Sequence, residues 1–89
     1  FKAAKVNNIL LIPVGEAFHA FEKKYPEINL YTDDFRHPSK EGTYLAASVV
    51  FGTLFNLDVK GTKGKKGIDP KITLKIQEIA DLTVKKFFN

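Results

Sequence analysis

Apolar residues along this chain fall into three rhythms, and each predicts a different element. Asn8 to Val14 reads Asn-Ile-Leu-Leu-Ile-Pro-Val, a short run apolar on both faces and rich in branched side chains. Such a run fits a buried parallel strand. Pro13 cannot donate to a ladder, so the strand should end there, at the carboxyl edge of a sheet. From Glu16 to Tyr25 the period changes: Ala17, Phe18, Ala20, Phe21 and Tyr25 are interleaved with Glu22, Lys23 and Lys24. That spacing makes an amphipathic helix, which Pro26 stops. Strand, Gly15 turn and helix form half of a βαβ unit.

Ile28 to Tyr31 reads as a brief extended stretch, and Thr32 to Ser39 as an irregular loop. Ser39 suits the N-cap of a following helix, with Glu41 in the first turn where the helix dipole favours an anion. Between Thr43 and Phe55 nearly every residue is apolar or small. A helix apolar all round must be buried against more than one neighbour. One strand and two other helices can hardly cover it, so the pattern points to a larger body of which this chain is one part. Lys60 to Gly67 (Lys-Gly-Thr-Lys-Gly-Lys-Lys-Gly) is expected to be a flexible cationic loop. Asp69-Pro70 then opens a last helix, with Asp as N-cap and Pro at the first helical position. Its core face runs through Ile72, Ile76, Ile79, Thr83 and Phe87, with Lys75, Glu78 and Lys85 off it. No internal repeat or sustained heptad interrupts this organisation.

Composition narrows the chemistry. The 89 residues suffice for one small domain, 44% apolar and 27% charged, an ordinary globular balance. With no cysteine, a disulfide framework and thiolate metal sites are excluded, although the compartment stays open. The two histidines, His19 and His37, stand at a spacing that matches no common metal motif. His19, beside Phe18 and Phe21, reads as a surface or packing residue of the first helix. No apolar run approaches the ~20 residues that span a bilayer. A start at Phe1 suggests a cut or partly observed chain, with any targeting signal upstream. The net charge of +4 is a local matter, because Lys60, Lys63, Lys65, Lys66 and Lys71 carry the excess.

Asp34 and His37 are the candidate chemistry. They stand three apart in the loop leading into a helix N-terminus. A serine hydrolase needs an imidazole to take the hydroxyl proton and return it to the leaving group, and a carboxylate to hold the imidazole's other nitrogen. An i, i+3 turn can bring a short Asp side chain to His Nδ1, leaving Nε2 to face a serine. The surrounding residues, Tyr31-x-Asp33-Asp34-x-x-His37-Pro38-Ser39-x-x-Gly42-Thr43-Tyr44-Leu45-Ala46-Ala47, resemble the final Asp-x-x-His-Pro-Ser block of the SGNH (GDSL-type) serine hydrolases. Pro13-Val14-Gly15-x-Ala17-Phe18 is similar to the strand-to-helix turn before that block. Ile76-Gln77-x-Ile79-Ala80-x-x-Thr83-Val84 looks like the terminal helix of one bacterial branch.

The resemblance implies an α/β fold, in which residues 1–89 are the C-terminal, helix-rich part of a three-layer, flavodoxin-like α/β/α sandwich. It implies acyl-ester hydrolysis by a Ser-His-Asp mechanism, with Asp34 as acid and His37 as base. No cofactor is implied. The substrate would be a small-molecule or carbohydrate ester, the carbohydrate option resting on family breadth alone, and a secreted or periplasmic location is one option among several. Asp33 falls outside the family spacing, and Arg36 occupies a variable position that is read as solvated.

The nucleophile and oxyanion-hole residues should lie in a missing N-terminal segment of the same domain, so this chain alone is expected to be inactive. Ser39 matches a capping position and Ser48 lies inside the apolar helix. Neither stands on a strand-to-helix elbow.

A second reading comes from a different class: a small basic helical module that binds an anionic partner through Lys60 to Lys71. Gly61 to Gly67 fails the phosphate-loop spacing, since Lys66 stands where glycine is required. The eight Phe and three Tyr do not interleave with the lysines as a nucleic-acid stacking platform would need. Neither nucleic acid nor membrane is therefore an expected partner.

Overall fold

In the computed structural model, which describes residues 12–32 and 37–88, the chain folds as three helices packed on one another. Helix α1 (Val14–Lys24) begins two residues before the expected Glu16 and turns Ala17 and Phe21 inward. It ends at Tyr25, whose N–H still bonds to the Phe21 carbonyl at 2.8 Å. Pro26 forbids the next turn, since its ring would clash with the preceding helix and its nitrogen has no proton.

Helix α2 (Lys40–Phe55) starts on the expected cap, Ser39, whose Oγ accepts from the Gly42 N–H. It stops at Asn56, which adopts the left-handed conformation at φ 52°, a conformation that asparagine tolerates better than most side chains. Helix α3 (Pro70–Phe88) opens as the Asp-Pro pair predicts. The Asp69 carboxylate accepts from the Lys71 N–H at 2.8 Å, and the Asp69 carbonyl takes the Thr73 N–H.

The core is made where these helices meet. Ala17 and Phe21 of α1, Leu45 and Val49 of α2, and Ile76, Ile79, Ala80 and Val84 of α3 pack with Leu30 from the connecting segment. At Gly52 the α2 backbone comes close to α3: an added Cβ would lie 3.0 Å from Val84 Cγ2. The buried face of α3 is wider than the expected stripe, because Thr73 and Gln77 are buried too, while Ile72 and Phe87 are half-buried.

This arrangement overturns the expected α/β sandwich. Ile12 and Pro13 are irregular and Val14 already belongs to α1. Residues 8–11 of the expected strand lie outside the described residues. Among the described residues the sole extended pairing is an isolated antiparallel bridge between Tyr31 and Pro38. The physical reason is that a sheet needs strands to share its ladder, and the described residues supply none beyond that one bridge. The helix faces that would have covered a sheet cover one another instead. The expectation for α2 also changes. It is buried along one side through Leu45, Ser48, Val49, Gly52 and Thr53, but Phe51, Leu54 and Phe55 are 42%, 57% and 60% exposed.

Candidate functional site

The segment entering α2 is tied down by a ladder of short-range bonds. Asn29 Oδ1 accepts from the Tyr31 N–H at 3.0 Å. The Ser39 N–H donates to the Leu30 carbonyl at 2.8 Å, and the Thr32 N–H donates to the His37 carbonyl at 2.8 Å. Thr32 Oγ1 donates to the same carbonyl at 3.2 Å. Ser39 uses its side chain twice, donating Oγ–H to the Asn29 carbonyl at 2.9 Å and accepting from Gly42 N–H at 3.1 Å. One hydroxyl therefore caps the helix and fastens it to the strand-like segment before it.

Gly42 is the close-approach point of this clasp. A Cβ there would fall inside 3.0 Å of the Leu30 carbonyl oxygen and 3.2 Å from Pro38 Cβ. Only a residue without a side chain lets the first turn of α2 sit against the Leu30 backbone. Tyr31 anchors the other side, half-buried and edge-on to Phe18 of α1 with ring centroids 5.8 Å apart. The Pro-Ser-x-x-Gly residues of the motif thus have a local structural duty: they hold His37 at a fixed, exposed place beside the α2 N-terminus.

Asp34, its expected partner, lies outside the described residues, as do Asp33 and Arg36. Ser39 is engaged as a cap. Ser48 is 3% exposed in the middle of α2, so neither serine stands at an open elbow.

The basic loop is built differently from a free linker. Asp81 of α3 accepts the Val59 N–H at 2.6 Å and the Lys60 N–H at 2.9 Å. Gln77, 1% exposed, accepts from Gly61 N–H at 3.4 Å. It also donates to the Tyr44 hydroxyl at 2.9 Å and the Thr62 carbonyl at 3.2 Å. Gly61, at φ 90°, makes the turn that these bonds require. Beyond it, Lys63, Lys65 and Lys66 border an open cavity of about 820 Å³ floored by Ile68, Leu74 and Gln77.

Sequence reasoning missed Gln77 and Asp81. Gln77 carried a usable signal, because it shares the buried spacing of Thr73, Ala80 and Val84, where a polar residue needs a partner. Asp81 gave none, since it sits just off that face.

Among the described residues there is no group of three metal-ligating side chains, and no helix is long and apolar enough to cross a membrane. No family model, no curated protein and no solved structure matches the chain.

Proposed function

We propose that this chain carries the acid–base half of a serine acyl-ester hydrolase, serving a nucleophilic serine supplied from outside these residues. His37 is the general base and Asp34 the carboxylate that orients it. In that mechanism His37 Nε2 accepts the serine proton as the hydroxyl attacks the ester carbonyl. It then returns the proton to the departing alkoxide, leaving an acyl-serine that water hydrolyses by the same relay. Asp34, on Nδ1, selects the tautomer and stabilises the imidazolium. The narrower reading, an O-acyl esterase acting on carbohydrate, belongs to the same proposal.

The observation that supports this reading is the clasp. Thr32 and Ser39 bond across to His37 and Leu30, and Gly42 lets α2 close against them. A general base needs a fixed backbone, and these contacts tie the His37 end of the motif to Thr32, Leu30 and the first turn of α2. The test is hydrolysis of p-nitrophenyl acetate by the full-length gene product. His37→Ala should lower turnover by about 10³-fold or more with an unchanged circular dichroism spectrum, because the clasp engages the His37 carbonyl, which alanine keeps. Near wild-type turnover would overturn the assignment.

The second reading, an anionic partner at the basic loop, draws on the cavity bordered by Lys63, Lys65 and Lys66. It places no demand on His37, so it survives a result in which His37→Ala has no effect.

A further inference from the structure

The lysine-rich loop is a fixed structure that holds like charges together. Residues 60–71 contain five lysines and one acid, Asp69, which is engaged on the Lys71 N–H. Asp81 holds the Val59 and Lys60 N–H groups, and Gln77 holds Gly61 and Thr62. Gly64 then lies so close on α3 that an added Cβ would stand 2.5 Å from Thr73 Cγ2. Ile68, 7% exposed, ties down the far end. Between these ties Lys63, Lys65 and Lys66 are exposed. The ion pair among the described residues joins Lys24 to Glu78, so the three ammonium groups repel one another with no carboxylate to offset them.

Apolar side chains flank these cations. Lys63, Lys65 and Lys66 share one depression with Leu74, which is 55% exposed. Lys63 shares the adjoining depression with Phe51, which is 42% exposed. The Phe51 ring lies 5.1 Å from that of Phe55, itself exposed. No carboxylate lines either depression. Cations on a pinned loop, with aromatic and aliphatic groups to either side, match the boundary where anionic headgroups meet hydrocarbon. An acidic peptide would answer the lysines, whereas a bilayer answers the lysines and the apolar flanks together. No described helix is long and apolar enough to cross a bilayer, but lying on its surface needs no spanning helix.

We propose that this face docks on the surface of an anionic lipid bilayer. Lys63, Lys65 and Lys66 meet the headgroups, and Phe51, Phe55 and Leu74 reach the acyl boundary. This names the partner of the basic-loop reading and rests on that reading, not on His37.

The experiment is co-sedimentation of the 89-residue chain with two kinds of vesicle, phosphatidylcholine alone and phosphatidylcholine with an equal part of phosphatidylserine. Binding is expected to the mixed vesicles only. It should fall away between about 0.1 and 1 M salt, as the screening length drops from ~10 to ~3 Å. A lysine near such a surface contributes about fivefold in partitioning, so Lys65→Gln with Lys66→Gln should weaken binding about thirtyfold. Lys85→Gln with Lys86→Gln removes the same charge about 16 Å along α3 from Leu74. That pair should change binding less than about threefold. Phe51→Ser and Leu74→Ser, each checked for an unchanged circular dichroism spectrum, should each weaken it about fivefold. Equal binding to neutral vesicles overturns the proposal, as do equal losses in the two lysine pairs or indifference to both apolar substitutions. Failure to bind the mixed vesicles also overturns it. In that event binding to poly-glutamate would assign the loop to an acidic protein, and no binding to either would end the basic-loop reading as well.

Discussion

Gly42→Ala is the substitution that best isolates the clasp. The new methyl would lie inside 3.0 Å of the Leu30 carbonyl oxygen, 3.1 Å from the Leu30 carbonyl carbon and 3.2 Å from Pro38 Cβ. The nearest atom belongs to backbone and cannot rotate aside, so α2 and the Leu30 segment must separate. That separation endangers two bonds, Ser39 N–H to Leu30 at 2.8 Å and Ser39 Oγ to Asn29 at 2.9 Å. Together they contribute about 2 kcal/mol net. Overpacking adds about 1–3 kcal/mol, and the better helix propensity of alanine returns about 1 kcal/mol.

The balance is a loss of about 2–4 kcal/mol, a large share of the stability of a domain this size. It corresponds to a fall in Tm of roughly 10–25 °C. Urea unfolding followed by circular dichroism measures it. Gly15→Ala is the matched control, because nothing lies within 4 Å of a Cβ there and the residue is helical. It should be neutral or gain up to about 1 kcal/mol. If Gly42→Ala behaved like Gly15→Ala, the close approach of α2 to Leu30 would be refuted, and with it the structural role assigned to the motif glycine.

The remaining predictions concern other parts of the molecule. Thr53 is 2% exposed with an unpartnered Oγ1, so Thr53→Val should stabilise by about 1 kcal/mol, read as a rise in Tm; a fall would show that the hydroxyl is satisfied. Asp81→Ala should cost about 2–3 kcal/mol by releasing two backbone donors. Hydrogen exchange at Val59 and Lys60 should accelerate, and unchanged exchange there would count against the loop anchor. The Lys24 ammonium lies 3.1 Å from Glu78, and the hydrogen bond, then the charge, of that carboxylate raises its pKa above the ordinary 10.5. A raised pKa gives stability that is complete below the unfolded value and lost as pH climbs through the folded one. The advantage of the wild-type chain over Glu78→Gln should therefore hold at neutral pH, shrink in the range above 10.5, and diminish with salt. A difference independent of pH would sink the pairing.

Local features were legible in advance wherever a single residue type decides the backbone. Ser39 and Asp69 cap the helices they were expected to cap, and Pro26 closes α1. These effects act within a few residues and need no knowledge of the rest of the chain. Candidate chemistry was legible only as spacing. Asp34 and His37 stand three apart in any structure, whereas the ties that hold His37 in place, from Thr32, Ser39 and Gly42, involve partners that spacing does not name.

The helices, their caps and the motif are therefore written locally in the chain. Tertiary structure alone decided what the apolar faces meet. A run such as Asn8 to Val14 reads as a strand because of its composition, but a strand is stable only with a neighbour to share its hydrogen bonds. Helices satisfy their own backbones, so Phe21, Leu45, Ile76 and Val84 could bury one another without a sheet. The same packing left Phe51 and Leu54 outside, enclosed Ser48 without a partner, and turned the lysine-rich loop from an expected linker into a wall pinned by Gln77 and Asp81. Those outcomes depend on which faces come together, a property of the whole arrangement and of no single segment.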